Sequence, residues 1–133
     1  MTGAGREFAS FGTKDPYSRW MLSPDGACIA ITGESEENVT LLTLAGGGQR
    51  KLKPENIFTP QTVSWYPSSD ALVATGTTKE GRWVLLRMNM QGRSQILMES
   101  DDWVTDPAPS PNGRRLAYVA ATSDVNTWLL EGF

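Results

Sequence analysis

The sequence contains no histidine, which removes every mechanism that uses an imidazole as general base, metal ligand or pH switch. Ser-His-Asp and Cys-His chemistry are thereby excluded. It has one cysteine, Cys28, so no internal disulfide can form. Cys28 lies in the apolar run Ala27-Cys28-Ile29-Ala30-Ile31, which reads as a buried strand, and its thiol is expected to be structural rather than reactive. No apolar run approaches the roughly 18 residues of a membrane span, and the segment from Met1 to Glu7 lacks the apolar region of a secretory signal. The expectation is a cytoplasmic chain without membrane contact, or a periplasmic one if it belongs to a longer exported or membrane-anchored polypeptide. A basic excess is missing too. The 12 Lys and Arg stand against 15 Asp and Glu, a net charge of −3, whereas nucleic-acid binders carry cations to displace phosphate counterions. Nucleic acid is not an expected partner.

What is present is an internal repeat. The 133 residues fit one domain, and three turn-like segments recur in it: Ser23-Pro24-Asp25-Gly26, Tyr66-Pro67-Ser68-Ser69-Asp70 and Ser110-Pro111-Asn112-Gly113. Their prolines lie about 44 residues apart. Gly5, Gly48 and Gly92 keep the same step, as do the pairs Leu41-Leu42, Leu85-Leu86 and Leu129-Leu130. After each proline comes an apolar, partly β-branched segment: Ile29 to Thr32, Leu72 to Thr75 and Leu116 to Val119. A polar loop follows, then the leucine strand, a glycine-containing turn and a fourth strand (Arg50 to Leu52, Gln95 to Met98). No stretch sustains helical apolar spacing.

Adjacent leucines in a strand point to opposite faces, so each leucine strand needs apolar cover on both sides. Sheets stacked about an axis supply it, and a period of 40 to 50 residues is that of a β-propeller blade. Ala30, Ala74 and Ala117 are expected at matching places where blades converge. Pro107, Pro109 and Pro111 fit an innermost strand with one unpaired edge. The expected fold is all-β: three four-stranded antiparallel blades, about half of a six-bladed ring, beginning on an outer strand from Arg6 to Phe11 and ending on the last leucine strand. Residues 1–133 are read as a single partial propeller domain. Its repeats run approximately over 14–57, 58–101 and 102–133, with 1–13 as an outer strand completing a neighbouring or last blade.

The segments Trp20-Met21-Leu22-Ser23-Pro24-Asp25-Gly26 and Pro109-Ser110-Pro111-Asn112-Gly113-Arg114-Arg115-Leu116-Ala117-Tyr118 resemble the TolB-type, WD-like β-propeller repeat of bacteria. The ending from Ser123 to Phe133 is similar to the last blade of propellers that terminate bacterial winged-helix regulators and serine/threonine kinases. The middle repeat departs from the pattern: Pro67 to Ala71 is one residue longer before its alanine and lacks the turn glycine. The resemblance implies a non-catalytic scaffold for protein interaction or ligand sensing, as a C-terminal part of a larger regulator. Related propellers also gate prolyl-oligopeptidase-like hydrolases, which gives the alternative. The Gly-x-Ser-x-Gly elbow of such hydrolases is missing.

No catalytic residue, cofactor or metal ligand is expected. Gly3-Ala4-Gly5 lacks the third glycine and preceding strand of a phosphate loop. Asp101, Asp102 and Asp106 lack calcium-loop spacing and read as solvated. The five tryptophans read as blade core and channel packing. In an up-and-down blade, the loops joining strands two and three and those joining successive blades emerge at one end. Acids outnumber bases in those loops, and bases outnumber acids in the opposite turns. Glu34, Glu36, Glu37, Asp101, Asp102 and Trp103 are therefore the expected contacts for a protein partner, steered by charge. The remaining blades are expected in an upstream segment of a larger chain; the alternative is a homodimer completing a six-bladed ring.

Overall fold

The computed structural model describes residues 3–5, 18–33, 37–122 and 125–133. These residues contain eleven strands and no helix, arranged in three antiparallel sheets. The first blade comprises β1 (Arg19–Leu22), β2 (Cys28–Thr32), β3 (Val39–Thr43) and β4 (Gln49–Leu52), in that spatial order. The second comprises β5 (Thr59–Trp65), β6 (Ala71–Thr77), β7 (Trp83–Asn89) and β8 (Ser94–Ser100). The third has β9 (Trp103–Pro109), β10 (Arg115–Ala121) and β11 (Val125–Glu131). The outer strand expected at Arg6 to Phe11 lies outside the described residues.

Paired leucines do face both ways. Leu86 joins Leu41, Ala30, Val39, Trp65, Leu72 and Met88 in the core between the first two blades. Leu85 joins Val73, Val104 and Leu116 in the core between the second and third. The middle sheet is therefore sandwiched, and β6 is buried along nearly its whole length.

The proline turns close identically. The amides of Ser23, Tyr66 and Ser110 donate to the carbonyls of Cys28, Ala71 and Arg115, at 2.8, 2.9 and 2.9 Å. Cys28, Ala71 and Arg115 are thus equivalent. Gly26 and Gly113 take left-handed φ values of 72° and 68°, and Ser69 takes the same place at 61°. The middle turn is consequently no longer than the others: its alanine, Ala71, stands where Cys28 does and not where Ala27 does. This shifts the second strand by one place. Ala30 and Ala117 match Val73, while Ala74 sits one residue on and faces the other way, since a one-residue slip inverts the face. The expected alanine match fails at Ala74 for that reason.

In the third blade β9 pairs only with β10, an edge position that accommodates Pro107 and Pro109. Pro111 lies beyond the strand, in the turn. A bulge sets Asp106 and Pro107 opposite Tyr118, with Asp106 at φ 52°. A similar irregularity interrupts β5 between Pro60 and Thr62.

Polar bonds cross between blades near their inner strands. The Trp65 indole Nε1–H donates to the Met21 carbonyl at 2.9 Å, and the Thr32 hydroxyl donates to the Gln61 carbonyl at 2.9 Å. The Asp25 amide donates to Ser69 Oγ at 3.2 Å. On the other side of the middle blade the Asp106 amide donates to Thr62 Oγ1 at 3.2 Å, and Thr62 shares a hydrogen bond with the Thr75 hydroxyl. The buried hydroxyls of Thr32, Thr62 and Thr75 are satisfied in this way, whereas the buried Tyr66 hydroxyl has no hydrogen-bond partner among the described residues.

Candidate interaction site at the blade rim

The connection from β4 to β5 forms one wall of a cleft between the first two blades. Its course is set by four hydrogen bonds. The Glu55 amide donates to the Gly92 carbonyl at 2.9 Å, and the Phe58 amide to the Thr77 carbonyl at 2.8 Å. Ser94 Oγ donates to the Glu55 carbonyl at 2.7 Å and accepts from Asn56 Nδ2 at 2.8 Å. Gly92 and Gly76 permit this approach. A Cβ on Gly92 would lie 2.4 Å from the Lys53 carbonyl oxygen, and one on Gly76 would lie 2.2 Å from that of Thr59.

The cleft has a volume of about 430 Å³. Ile57, Phe58 and Ile96 supply its apolar surface, with Phe58 and Ile96 exposed. Lys53, Lys79, Glu37, Glu80 and Glu99 supply charges of both signs. Lys53 Nζ pairs with Glu37 Oε2 at 3.2 Å, and Lys79 Nζ lies 5.9 Å from the centroid of the Phe58 ring. These are exposed groups that water screens.

The expected contact residues divide between two places. Glu37 lines the cleft. Asp101 and Asp102 form the next connection, between the second and third blades, and Trp103 begins β9. Arg82 links the two, its Nε 3.5 Å from Glu99 and its Nη1 2.8 Å from Asp101. Asp102 has no ion-pair partner among the described residues. Exposed Trp103 meets half-buried Trp83 edge-on, ring centroids 6.3 Å apart. Glu34, Glu36, Lys14, Asp15 and Asp124 lie outside the described residues. Glu55, on the connection between the first two blades, is tied to the start of β8, its carboxylate accepting from the Ser94 amide at 3.3 Å.

The tryptophans differ from expectation. Trp65 is core, but Trp20, Trp103 and Trp128 are exposed; Trp20 points to the face of the first blade that no described blade covers. Sequence reading also missed Lys53, Lys79, Phe58 and Ile96. A signal existed for Phe58, a lone aromatic in the polar connection between Pro54 and Pro60. Ile96 looked like an ordinary strand residue.

The one thiol, Cys28, is half-buried rather than buried, and burial still pushes its pKa up, which keeps it protonated. Burial also raises the pKa of the Tyr66 hydroxyl, and the Arg87 guanidinium lies over the Tyr66 ring, 4.2 Å from its centroid. No group of three or more metal-ligating side chains occurs among the described residues. No helix among them is long and apolar enough to cross a membrane.

Solved structures show what this arrangement is similar to. A protein assigned as TolB from Agrobacterium tumefaciens superposes with a TM-score of 0.74 at 18% identity, over 90% of this chain and 47% of that one. TolB from Acinetobacter baumannii gives 0.77 at 13% identity, over 95% of this chain and 32% of that one. The fold is a partial TolB-like β-propeller. The chain spans about half of the first structure and about a third of the second. The tricorn protease is similar over 76% of this chain and 10% of its own, with a TM-score of 0.61 at 12% identity. No protein-family profile and no curated protein matches the sequence.

Proposed function

We propose that this chain is a non-catalytic propeller scaffold that binds a protein partner, as a C-terminal part of a larger bacterial regulator working in signalling. It acts in the cytoplasm, or in the periplasm if the whole polypeptide is exported. The observation that carries this reading is the rim cleft. It is an apolar patch of Phe58 and Ile96 bordered by Lys53, Lys79, Glu37 and Glu80, with the acidic connection of Asp101 and Asp102 and exposed Trp103 beside it. An extended segment with an apolar anchor and flanking basic residues fits such a surface, and charge would raise its rate of encounter. The lack of histidine supports the absence of hydrolytic chemistry.

The test is association of an isolated native partner with the wild-type chain and with two charge-reversed variants. Glu37→Lys with Asp102→Lys should slow association several-fold at low salt, and Arg114→Glu with Arg115→Glu should leave it unchanged. Equal effects from both would overturn the assignment of the contact surface. A second reading, the substrate-gating portion of a multidomain hydrolase, is supported by the likeness to the tricorn protease. A Gly-x-Ser-x-Gly domain in the same polypeptide would favour it over the regulator.

A further inference from the structure

The two ends of the blade stack carry complementary halves of the interface that the stack repeats internally. Met21 pairs with Ala30, which belongs to the core between the first two blades, so its neighbours Trp20 and Leu22 point the opposite way. By the equivalence of the proline turns, Trp20 and Leu22 stand where Val63 and Trp65 stand in the second blade. Val63 and Trp65 are 5% and 6% exposed; Trp20 and Leu22 are 68% and 45% exposed.

The far end shows the converse. Leu130 and Leu116 face the second blade, so Leu129, opposite Ala117, faces outward. Its equivalent in the first blade is Leu41, opposite Ala30. Leu41 is 3% exposed and Leu129 is 58% exposed. One end therefore presents the bulky side of a blade contact, the other the aliphatic side with small Ala117, and both occur on one chain.

We propose that a second copy of this chain covers both ends, joined head to tail, so that Leu129 of each copy packs on Trp20 and Leu22 of the other. Continuity favours a second copy as occupant: the pairing continues the interface already formed between the described blades. A head-to-tail contact closes when its rotation completes a ring, and two three-bladed copies close with six blades, within the usual range.

The experiment is the mass of the purified chain in solution by light scattering and sedimentation. The expected result is a discrete dimer. Trp20→Lys alone and Leu129→Glu alone should each be folded by circular dichroism and at least tenfold weaker in dimerisation. Mixed in equal amounts they should recover dimers, because one of the two interfaces then has both native surfaces. A wild-type chain that is monomeric at all concentrations, or that grows into open polymers, overturns the proposal whether or not the variants fold. So does a mixture that behaves as its separate components.

Discussion

The middle blade and the two end blades are built from one repeat and differ in what lies against them. In the middle blade β6 and β7 have apolar neighbours on both faces, and Leu72, Val73, Ala74, Leu85 and Leu86 are fully or almost fully buried. In the first blade every residue of β1 is exposed, and in the third the described side chains of β11 are mostly exposed. The same leucine pair is thus a core element in one place and half surface in another. Position in the stack, more than the residue itself, decides how much a side chain contributes, because hydrophobic stabilisation follows the apolar area removed from water.

The largest expected effect breaks the comparison at its centre. Leu86→Ala should lower the free energy of unfolding by about 2–5 kcal/mol, whereas Leu129→Ala in dilute, dissociated chain should change it by about 0.5 kcal/mol or less. Urea titrations of both variants check this, and similar losses would show that the end blade is as well packed as the middle one. Next is Gly76→Ala. Its Cβ would meet the Thr59 carbonyl oxygen and the Ile57 side chain, at the point where the rim connection turns into β5. A loss of about 1–3 kcal/mol is expected from such overpacking, read as a lower thermal midpoint. The same change at Gly3, which has nothing within 4 Å, should be silent.

The smallest effect distinguishes two turns. The Asp25 carboxylate accepts from Ser23 Oγ at 2.6 Å and from the Ala27 amide at 3.0 Å, and these bonds hold its pKa below the ordinary carboxylate value. A group depressed on folding stabilises above its unfolded pKa, and that contribution is lost as the pH falls through the folded one. In the third blade neutral Asn112 makes the corresponding bonds, to Ser110 Oγ at 2.8 Å and the Arg114 amide at 3.0 Å. Asp25→Asn should therefore preserve the turn and flatten the acid limb of the thermal midpoint against pH. An unaltered limb would assign the acid sensitivity to other carboxylates.

The repeat was legible because turns and two-sided strands need particular residues. Pro24, Pro67 and Pro111 announced the first turn of each blade, and the leucine pairs announced strands covered on both faces. The strand that carries Pro107 and Pro109 was placed correctly at an edge by its missing donors. Exact register was less legible. Ser69 occupies a left-handed position where Gly26 and Gly113 are expected, so the middle turn looked longer than it is and Ala74 was assigned to the wrong face. The rim cleft was hardly legible at all. It depends on how Gly76 and Gly92 let a connecting segment approach two strands, and distances between segments far apart in sequence leave no local pattern. Glu37 was found through its charge, while Phe58 and Ile96 became surface only through the separation of the blades.

The hydrogen bonds between blades have a consequence for how such a chain changes over evolutionary time. Apolar faces alone would let neighbouring sheets slide, because dispersion contacts carry little directional preference. The bonds from Trp65 to Met21, Thr32 to Gln61 and Asp106 to Thr62 act as index marks that fix the height of one sheet against the next. A donor and its acceptor always belong to different repeats. A repeat gained or lost by recombination must therefore bring partners for both neighbours: the middle one donates from Trp65 to the first and accepts there from Thr32, and it accepts from Asp106 of the third.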